Sequence, residues 1–331
     1  MNPKVVYAGP RAIAPPALQP ALVSDLELLH PPLRPNQLVA VCKRLEPDLV
    51  LLDVSDPTAL DALEALMGSQ PCPVLLLLPE GTDRATAMRG LFLGALEIRE
   101  LPARANAELT RALVKQVALL SKIAVVTHRK PRRRASGSKI QAVAAPFPLV
   151  AIASSLGGPP ALAKVLKALP KRFKAPIVIC QHITEGFADD LARWLSFDTG
   201  HKVVEVEGSV ALEPGVVYLA GSTGHLVVSS PSKLAIDEGP PVGGFRPSCD
   251  VLLKSAAQVF GASAIGVVLT GMGRDGAKGL KDIRARGGHT IAQDEASSVV
   301  FGMPGEAVAL GAAEKVLALD LIAAQLLRWV P

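Results

Sequence analysis

The chain has 331 residues, of which 49% are hydrophobic and 20% are charged, and its net charge is +5. This length suggests two domains, and the apolar share excludes disorder over most of the chain. No apolar run reaches the roughly 18 residues of a membrane span, and the first residues lack the pattern of a secretory signal. The four cysteines form no C-x-x-C pair. The sequence therefore indicates neither a zinc site nor disulfides, and predicts a cytoplasmic chain with reduced thiols.

Residues 1–120 alternate short apolar segments with stretches of helical periodicity. Three of the apolar segments predict strands that are buried on both faces: Lys4–Ala8, Asp48–Asp53 and Pro73–Leu78. Between the last two, residues 57–67 place apolar side chains on one face of a helix. Alternating strands and helices predict a parallel, doubly wound α/β sheet, in which ligands bind at the carboxyl ends of the strands. Asp53 stands at one of these ends.

This first region resembles the receiver domain of bacterial two-component signalling, in which an aspartate at the end of the third strand accepts a phosphoryl group. Asp53 in DLVLLDVSDP matches that aspartate. Phosphoryl transfer to a carboxylate needs Mg²⁺ held by further carboxylates, and residues 8–10, which follow the first strand, include none. Leu78 and Leu101 stand where the family has a hydroxyl residue and a lysine. We therefore expect a pseudo-receiver, with Asp53 as an ordinary strand-end carboxylate.

A basic tract follows the receiver-like region. Residues 121–141 contain seven Lys and Arg residues and no acidic residue, so the rest of the chain is slightly acidic. Because like charges repel and the tract also holds Pro, Ser and Gly, the sequence predicts an extended linker over 121–147. A binding patch for an acidic partner such as anionic lipid is the alternative. The 4% aromatic content and the lack of a nucleic-acid-binding motif argue against nucleic acid.

Residues 148–331 predict a second parallel sheet, with a chemically useful side chain after each of three strands. These are Ser155 after the strand 147–153, His182 after the strand 176–180 and Asp275 after the strand 264–270. The carboxyl ends of parallel strands meet at one edge, so a Ser-His-Asp triad is geometrically possible. The helix predicted behind the serine offers free N–H donors for an oxyanion. Taken singly, the serine also suits a helix N-cap and the histidine a structural role.

The segment Gly271–Gly276 supports a different hypothesis. It reads GMGRDG, which matches G-x-G-x-x-G between a strand and a helix. The next predicted strand, residues 289–293, leads into Asp294 about 20 residues further on, as a dinucleotide-binding fingerprint requires. A second mononucleotide-binding half would then have to come from earlier strands. Nor does this hypothesis explain Ser155 or His182. The residues by themselves leave both hypotheses open.

Five segments of this second region are similar, in chain order, to successive motifs of the chemotaxis protein-glutamate methylesterase family, CheB. They run through nearly all of residues 148–331. The receiver-like region and the linker upstream also match that family's architecture. The five segments are AIASSLGGPPAL, QHITEGFADDLARWL, FRPSCDVLLKSAA, LTGMGRDGAKGL and AQDEASSVVFGMPGEAVALGA.

The resemblance implies roles for particular residues. Ser155 corresponds to the nucleophile, His182 to the histidine of the family's Gln-His strand end, and Asp275 to the aspartate that orients it. Backbone N–H groups near Leu156 and Met272 would hold the oxyanion. Leu156 replaces a threonine that is usual in the family, which removes a hydroxyl group near the histidine.

The resemblance also implies a function. The expected activity is hydrolysis of glutamate γ-methyl esters, and of glutamine side-chain amides, on methyl-accepting chemoreceptors, without a metal or cofactor and with phosphorylation control lost. The expected partners are these receptors and other chemosensory proteins such as a histidine kinase, with no nucleic acid and no membrane insertion. The alternatives are a catalytically inactive CheB-like scaffold and a dinucleotide-binding protein.

Overall fold

The computed structural model describes residues 2–10, 14–15, 18, 25–102, 107–123 and 147–330. The chain divides into two compact units, residues 1–127 and residues 128–331. Most of the linker expected over 121–147 lies outside the described residues. In the ranges given above, no helix combines the length and the apolar character that crossing a membrane requires.

The first unit is built on a five-stranded parallel sheet in the order β2-β1-β3-β4-β5. Its strands are β1 (Lys4–Ala8), β2 (Glu27–Leu28), β3 (Leu49–Asp53), β4 (Val74–Pro79) and β5 (Glu97–Leu101). The helices between and after them are α1 (Leu38–Leu45), α2 (Ala59–Ser69), α3 (Arg84–Phe92) and α4 (Ala107–Leu120). The strand order reverses between β1 and β3, so the chain after Ala8 and Asp53 lies at the crevice where such sheets bind ligands.

The second unit contains a seven-stranded parallel sheet in the order β15-β14-β13-β6-β7-β10-β8. Its strands are β6 (Leu149–Ser154), β7 (Ile177–Gln181), β8 (Lys202–Val206), β10 (Val216–Ala220), β13 (Ala264–Val268), β14 (His289–Gln293) and β15 (Lys315–Leu317). A small antiparallel sheet, which the sequence did not predict, joins β9 (Val210–Ala211), β11 (His225–Ser230) and β12 (Lys233–Asp237).

Six helices cover the larger sheet in the described part of the second unit. They are α5 (Gly158–Lys167), α6 (Ala188–Thr199), α7 (Cys249–Phe260), α8 (Ala277–Ala285), α9 (Met303–Ala309) and α10 (Leu319–Trp329). Helix α7 packs against both α8 and β6. Strands β6, β7 and β13 are buried over their whole length, as continuous apolar runs predict. The chain leaves β6 toward β7 and later returns beside β6 as β13, so the topological switch point lies between β6 and β13.

Candidate active site

Ser155 lies in the turn between β6 and α5, at this switch point. Its N–H donates a hydrogen bond to the carbonyl oxygen of Thr270 at 3.1 Å, and its own carbonyl accepts one from the N–H of Gly158 at 2.8 Å. Gly271 passes so close that a Cβ on it would lie 2.8 Å from the Ser155 Cβ, which only glycine avoids. The backbone therefore fixes Ser155 between the ends of β6 and β13.

Ser154 has a structural role that differs from its neighbour's. Its buried hydroxyl donates to Oε1 of Gln181 at 2.6 Å. The amide nitrogen of Gln181 donates in turn to the carbonyl oxygens of Ser155 at 2.8 Å and His182 at 2.7 Å. A Cβ on Gly158 would collide with Oε1 of Gln181. Gln181 thus holds the turns after β6 and β7 together, a role that the sequence did not reveal.

His182 follows β7, and two contacts fix its ring. Nε2 lies 2.9 Å from Oδ2 of Asp275, and the ring of Phe245 stacks on the imidazole with centroids 4.1 Å apart and an interplanar angle of 4°. The other ring nitrogen, Nδ1, is buried and has no hydrogen-bond partner among the described residues. Within the same ranges, no hydrogen bond joins the Ser155 hydroxyl to His182. One ring nitrogen is therefore paired with a carboxylate, and the other, although buried, has no partner in the described part of the chain.

Asp275 is 6% exposed and accepts four hydrogen bonds. Oδ2 accepts from Nε2 of His182 and from the N–H of Cys249 at 2.7 Å. Oδ1 accepts from the Ser248 hydroxyl at 2.8 Å and from the N–H of Asp250 at 2.9 Å. Two of these donors are orphan N–H groups at the start of α7, where a carboxylate is stabilised by the helix dipole. Asp275 therefore has a fixed position and a fixed charge.

Asp250, in α7, accepts hydrogen bonds from the start of α8, just as Asp275 accepts them from the start of α7. Its Oδ1 accepts from the N–H groups of Gly276 at 2.9 Å and Gly279 at 2.8 Å, at the start of α8. Helices α7 and α8 thus cap each other through Asp275 and Asp250. The sequence placed Asp250 in a family motif without a role. An acidic residue in the first turn of a helix is the signal that could have suggested one.

The pKa values in this cluster favour a negative Asp275 facing the imidazole. Burial alone raises the pKa of Asp275, but hydrogen bonds from His182 and from the N–H groups of α7 hold it below its usual value. Burial lowers the pKa of His182, whereas the Cys249 sulfur and Asp275 raise it, and the net pKa is about 10. Burial holds the pKa of Cys249 well above its usual value. The Cys249 thiol therefore keeps its proton at neutral pH, and of the two groups that raise the pKa of His182 only the Asp275 carboxylate is charged there.

Leu156 follows Ser155, and Met272 follows Gly271, the residue that passes close to Ser155. In the described part of the chain, neither backbone N–H donates a hydrogen bond to a protein acceptor. The Leu156 N–H belongs to the same peptide as the Ser155 carbonyl oxygen, which accepts from Gly158 and Gln181 and so fixes this peptide. The Leu156 carbonyl oxygen accepts from the Thr270 hydroxyl at 2.9 Å, and the Leu156 side chain is buried. Two N–H groups beside Ser155 are thus left without an acceptor among the described residues.

Asp53, the candidate phosphoacceptor of the first unit, is enclosed. It is 2% exposed; Oδ2 accepts from the Tyr7 hydroxyl at 3.1 Å, and Oδ1 accepts from the Ser55 N–H at 2.9 Å and hydroxyl at 2.6 Å. A Cβ on Gly9 would meet both the Tyr7 hydroxyl and Asp53. Among the described residues, Asp53 does not belong to a cluster of three or more side chains that could hold a metal ion. The described surroundings of Asp53 are those of a structural carboxylate.

Packing explains two of the three glycines in the segment 271–276, and the third, Gly273, has a positive φ of 84°. Gly271 lies against Ser155, and a Cβ on Gly276 would lie 3.0 Å from the Cβ of Ala153. Asp294, which would bind a ribose in the dinucleotide hypothesis, uses Oδ1 to accept from the N–H of Ser297 at 3.0 Å and from its hydroxyl at 2.6 Å. The features that suggested a dinucleotide site thus support the local fold.

Comparison with known proteins gives consistent matches. A family model described as CheB methylesterase matches residues 150–326. Protein-glutamate methylesterase FrzG of Myxococcus xanthus is 50% identical over 88% of this chain and 87% of its own length. Protein-glutamate methylesterase/protein-glutamine glutaminase 3 of Burkholderia orbicola is 38% identical over 99% of this chain and 97% of its own. The crystal structure of the Thermotoga maritima CheB methylesterase catalytic domain matches with a TM-score of 0.54 and 37% identity, covering 56% of this chain and 99% of that one.

The fold and these matches define an α/β enzyme of the carboxylic ester hydrolase class. Within that class, the chain belongs to the CheB methylesterase family. The resemblance found in the sequence motifs, the parallel α/β fold class and the methylesterase class are thereby confirmed. This outcome favours the methylesterase over the dinucleotide-binding alternative.

Proposed function

We propose that this protein hydrolyses glutamate γ-methyl esters on methyl-accepting chemoreceptors, in the adaptation branch of a cytoplasmic chemosensory pathway. Ser155 is the nucleophile, His182 the general base and Asp275 the carboxylate that orients the histidine. The observation that carries the proposal is the 2.9 Å contact between Nε2 of His182 and Oδ2 of Asp275 beside the Ser155 turn. Because Nε2 of His182 is paired with Asp275, Nδ1 is the ring nitrogen available to the serine.

The reaction is acyl transfer through a covalent intermediate. His182 takes the Ser155 proton while the serine oxygen attacks the ester carbonyl carbon. The N–H groups of Leu156 and Met272 hold the oxyanion of the tetrahedral intermediate. The C–O bond to the methoxy group breaks, and methanol leaves with the proton from the histidine. A water molecule, deprotonated by His182, then releases the glutamate carboxylate. With a glutamine side chain, ammonia leaves instead.

The experiment is methanol release from membranes that contain methylated chemoreceptors, with no phosphodonor present. Ser155→Ala should lower release by roughly 10³-fold or more, because the nucleophile is lost, and should leave the melting temperature unchanged. The neighbouring serine is the matched control. Ser154→Ala leaves the Gln181 carbonyl oxygen without its donor, so it should cost about 1–3 kcal/mol of stability yet keep measurable turnover.

The two possible failures have different meanings. Full release by Ser155→Ala would reject the nucleophile. No release by folded wild-type protein on a suitable receptor would favour the alternative of a CheB-like scaffold without activity. The protein alone carries the required groups, so we expect release without a metal or cofactor.

Phosphorylation of the first unit is not part of this mechanism. Asp53 is 2% exposed and its two oxygens are engaged by Tyr7 and Ser55. Residues 8–10 provide no carboxylate for Mg²⁺. Incubation with a small phosphodonor and Mg²⁺ should give no stoichiometric labelling, as measured by intact mass. Stoichiometric labelling that disappears in Asp53→Asn would show that the switch is retained.

A further inference from the structure

Two of the four cysteines meet beside His182, although they lie 69 residues apart in the chain. Cys180 is in β7, Cys249 is the first residue of α7, and both are fully buried. The Cys249 sulfur lies 3.6 Å from Nε2 of His182 and 3.4 Å from the carbonyl oxygen of Cys180. The two sulfur atoms and one ring nitrogen all lie within 4.8 Å of one another. The mechanism above uses neither thiol.

The spacing of these atoms fits a tetrahedral cation. Zinc–sulfur bonds of about 2.3 Å and zinc–nitrogen bonds of about 2.0–2.1 Å give a tetrahedron with an N···S edge of about 3.5 Å and an S···S edge of about 3.8 Å. The observed distance between the Cys249 sulfur and Nε2 is 3.6 Å. The Cys180 sulfur, within 4.8 Å of both atoms, needs a shift of about 1 Å or less to complete the set.

The chemistry of the donors selects the class of cation. Two sulfur atoms and one imidazole nitrogen are ligands for zinc and related thiophilic ions, whereas Mg²⁺ and Ca²⁺ prefer oxygen. Two thiolates exactly neutralise the charge of a divalent ion, so the complex adds no net charge to a fully buried position. Three ligands leave the fourth position of a tetrahedral ion open.

We propose that Cys180, His182 and Cys249 form a site for one thiophilic divalent cation of the zinc type, and that the bound cation stops ester hydrolysis. On binding, each thiol loses its proton to solvent and forms a sulfur–metal bond, while Nε2 of His182 gives its lone pair to the metal. Two protons are released for each ion bound, so the affinity rises with pH.

Inhibition follows from the geometry of His182. In the metal-free arrangement, Nε2 faces Asp275 at 2.9 Å and carries the hydrogen of that bond when Nδ1 acts as the base. A nitrogen whose lone pair binds a metal cannot also donate a hydrogen bond. The cation and the Asp275 contact therefore exclude each other. The inhibition rests on the proposed function, whereas the binding does not.

The binding experiment uses the full chain with Cys42→Ala and Cys72→Ala, because these two thiols of the first unit interact with each other and would add a background signal. Cadmium serves as the probe, since thiolate-to-cadmium charge-transfer absorption reports the number of bound thiolates. We expect one cadmium ion per chain, held by two thiolates and displaced by zinc. Binding should strengthen with pH.

Two further substitutions locate the site. Cys249→Val removes one sulfur while keeping an apolar side chain of similar size, and Cys180→Ala removes the other. Each should lower the cadmium affinity roughly 100-fold or more, since losing a ligand costs more than losing a group that only orients one. Each variant is first checked for a cooperative melt, so that a fold defect in one leaves the other informative. No stoichiometric binding, or binding unaffected by both substitutions, overturns the site.

The activity experiment compares methanol release with zinc and with a chelator within each variant. In the Cys42→Ala/Cys72→Ala background, zinc should abolish release and the chelator should restore it. With Cys249→Val added, the zinc concentration for half-inhibition should rise by the same factor as the dissociation constant. Stoichiometric binding without inhibition would overturn the regulatory half of the proposal. A Cys42→Ala/Cys72→Ala chain that binds one cadmium ion, but releases no methanol in the presence of the chelator, would count against the proposed function alone.

Discussion

Asp53 in the first unit and Asp275 in the second both lie just at or beyond the carboxyl end of a buried parallel strand. They are 2% and 6% exposed, and each accepts hydrogen bonds on both carboxylate oxygens. The difference is in the donors. Asp53 is bound by the hydroxyls of Tyr7 and Ser55 and by one N–H group, none of which accepts a proton at neutral pH. Asp275 is bound by the imidazole of His182, a group that can take up and release a proton during a reaction.

Asp53 and Asp275 have similar positions in their sheets but different bonding partners. A strand-end carboxylate in a parallel sheet is well placed for chemistry, but its partners decide whether it takes part. Around Asp53 the tyrosine hydroxyl occupies one carboxylate oxygen, and Gly9 passes close to the Asp53 side chain. Around Asp275 the N-terminus of α7 holds the charge in place, and one oxygen faces His182. The first arrangement supports the fold, and the second can also move a proton.

Paired substitutions test this difference, and they should show the largest effect. Asp275→Asn should lower methanol release by about 10³–10⁴-fold, because the amide cannot hold the imidazole in the same protonation state. Asp53→Asn should leave the release rate unchanged, because the proposed reaction does not use Asp53. Steady-state rates on methylated receptor membranes make the measurement, with melting curves as the control for folding. Equal losses from both substitutions would contradict the separation of the two sites.

The pH dependence of the rate should show a smaller effect of the same contact. His182 must be unprotonated to act as a base, and its pKa is raised from 6.5 to about 10 by its surroundings, against the opposing effect of burial. The rate should therefore rise with pH, with a midpoint above 6.5. Initial rates across neutral and alkaline pH measure this midpoint. A rate that is already maximal below pH 6.5 would contradict the raised pKa of the base.

Tyr7→Phe should have the smallest effect, and only on stability. The substitution removes the donor to Oδ2 of Asp53 and leaves the Ser55 bonds to Oδ1, so it should cost about 1–3 kcal/mol. Urea unfolding followed by circular dichroism measures the loss. Methanol release should not change. A fall in release at unchanged stability would mean that the surroundings of Asp53 influence the reaction.

Much of the fold follows from local sequence. Strands β1 and β14 begin and end where their apolar patterns predict, because each is a buried segment whose length the pattern defines. Strand β13 ends two residues before the predicted Thr270. There the backbone leaves the ladder, and the Thr270 N–H donates to the side chain of Gln293 instead. Gln293 belongs to β14, so the sequence around β13 does not reveal the hydrogen bond at which β13 ends.

The candidate site likewise has residues that the sequence predicts and contacts that it does not. Ser155, His182 and Asp275 could be found because each follows a strand that the sequence predicts. The stacking of Phe245 on His182 and the mutual capping by Asp250 and Asp275 could not. Both join segments far apart in the chain, and tertiary packing sets their orientations. For the same reason, widely spaced cysteines indicated no metal site, although folding brings Cys180 and Cys249 together beside His182.

The most direct test of the account is covalent labelling of the purified protein with a fluorophosphonate, followed by peptide mass spectrometry. Such reagents modify a serine that a neighbouring base activates. One adduct per chain is expected, located on Ser155, present in Ser154→Ala and lost in His182→Gln. An adduct on another residue, or labelling of Ser155 that persists in folded His182→Gln protein, would contradict activation of Ser155 by His182.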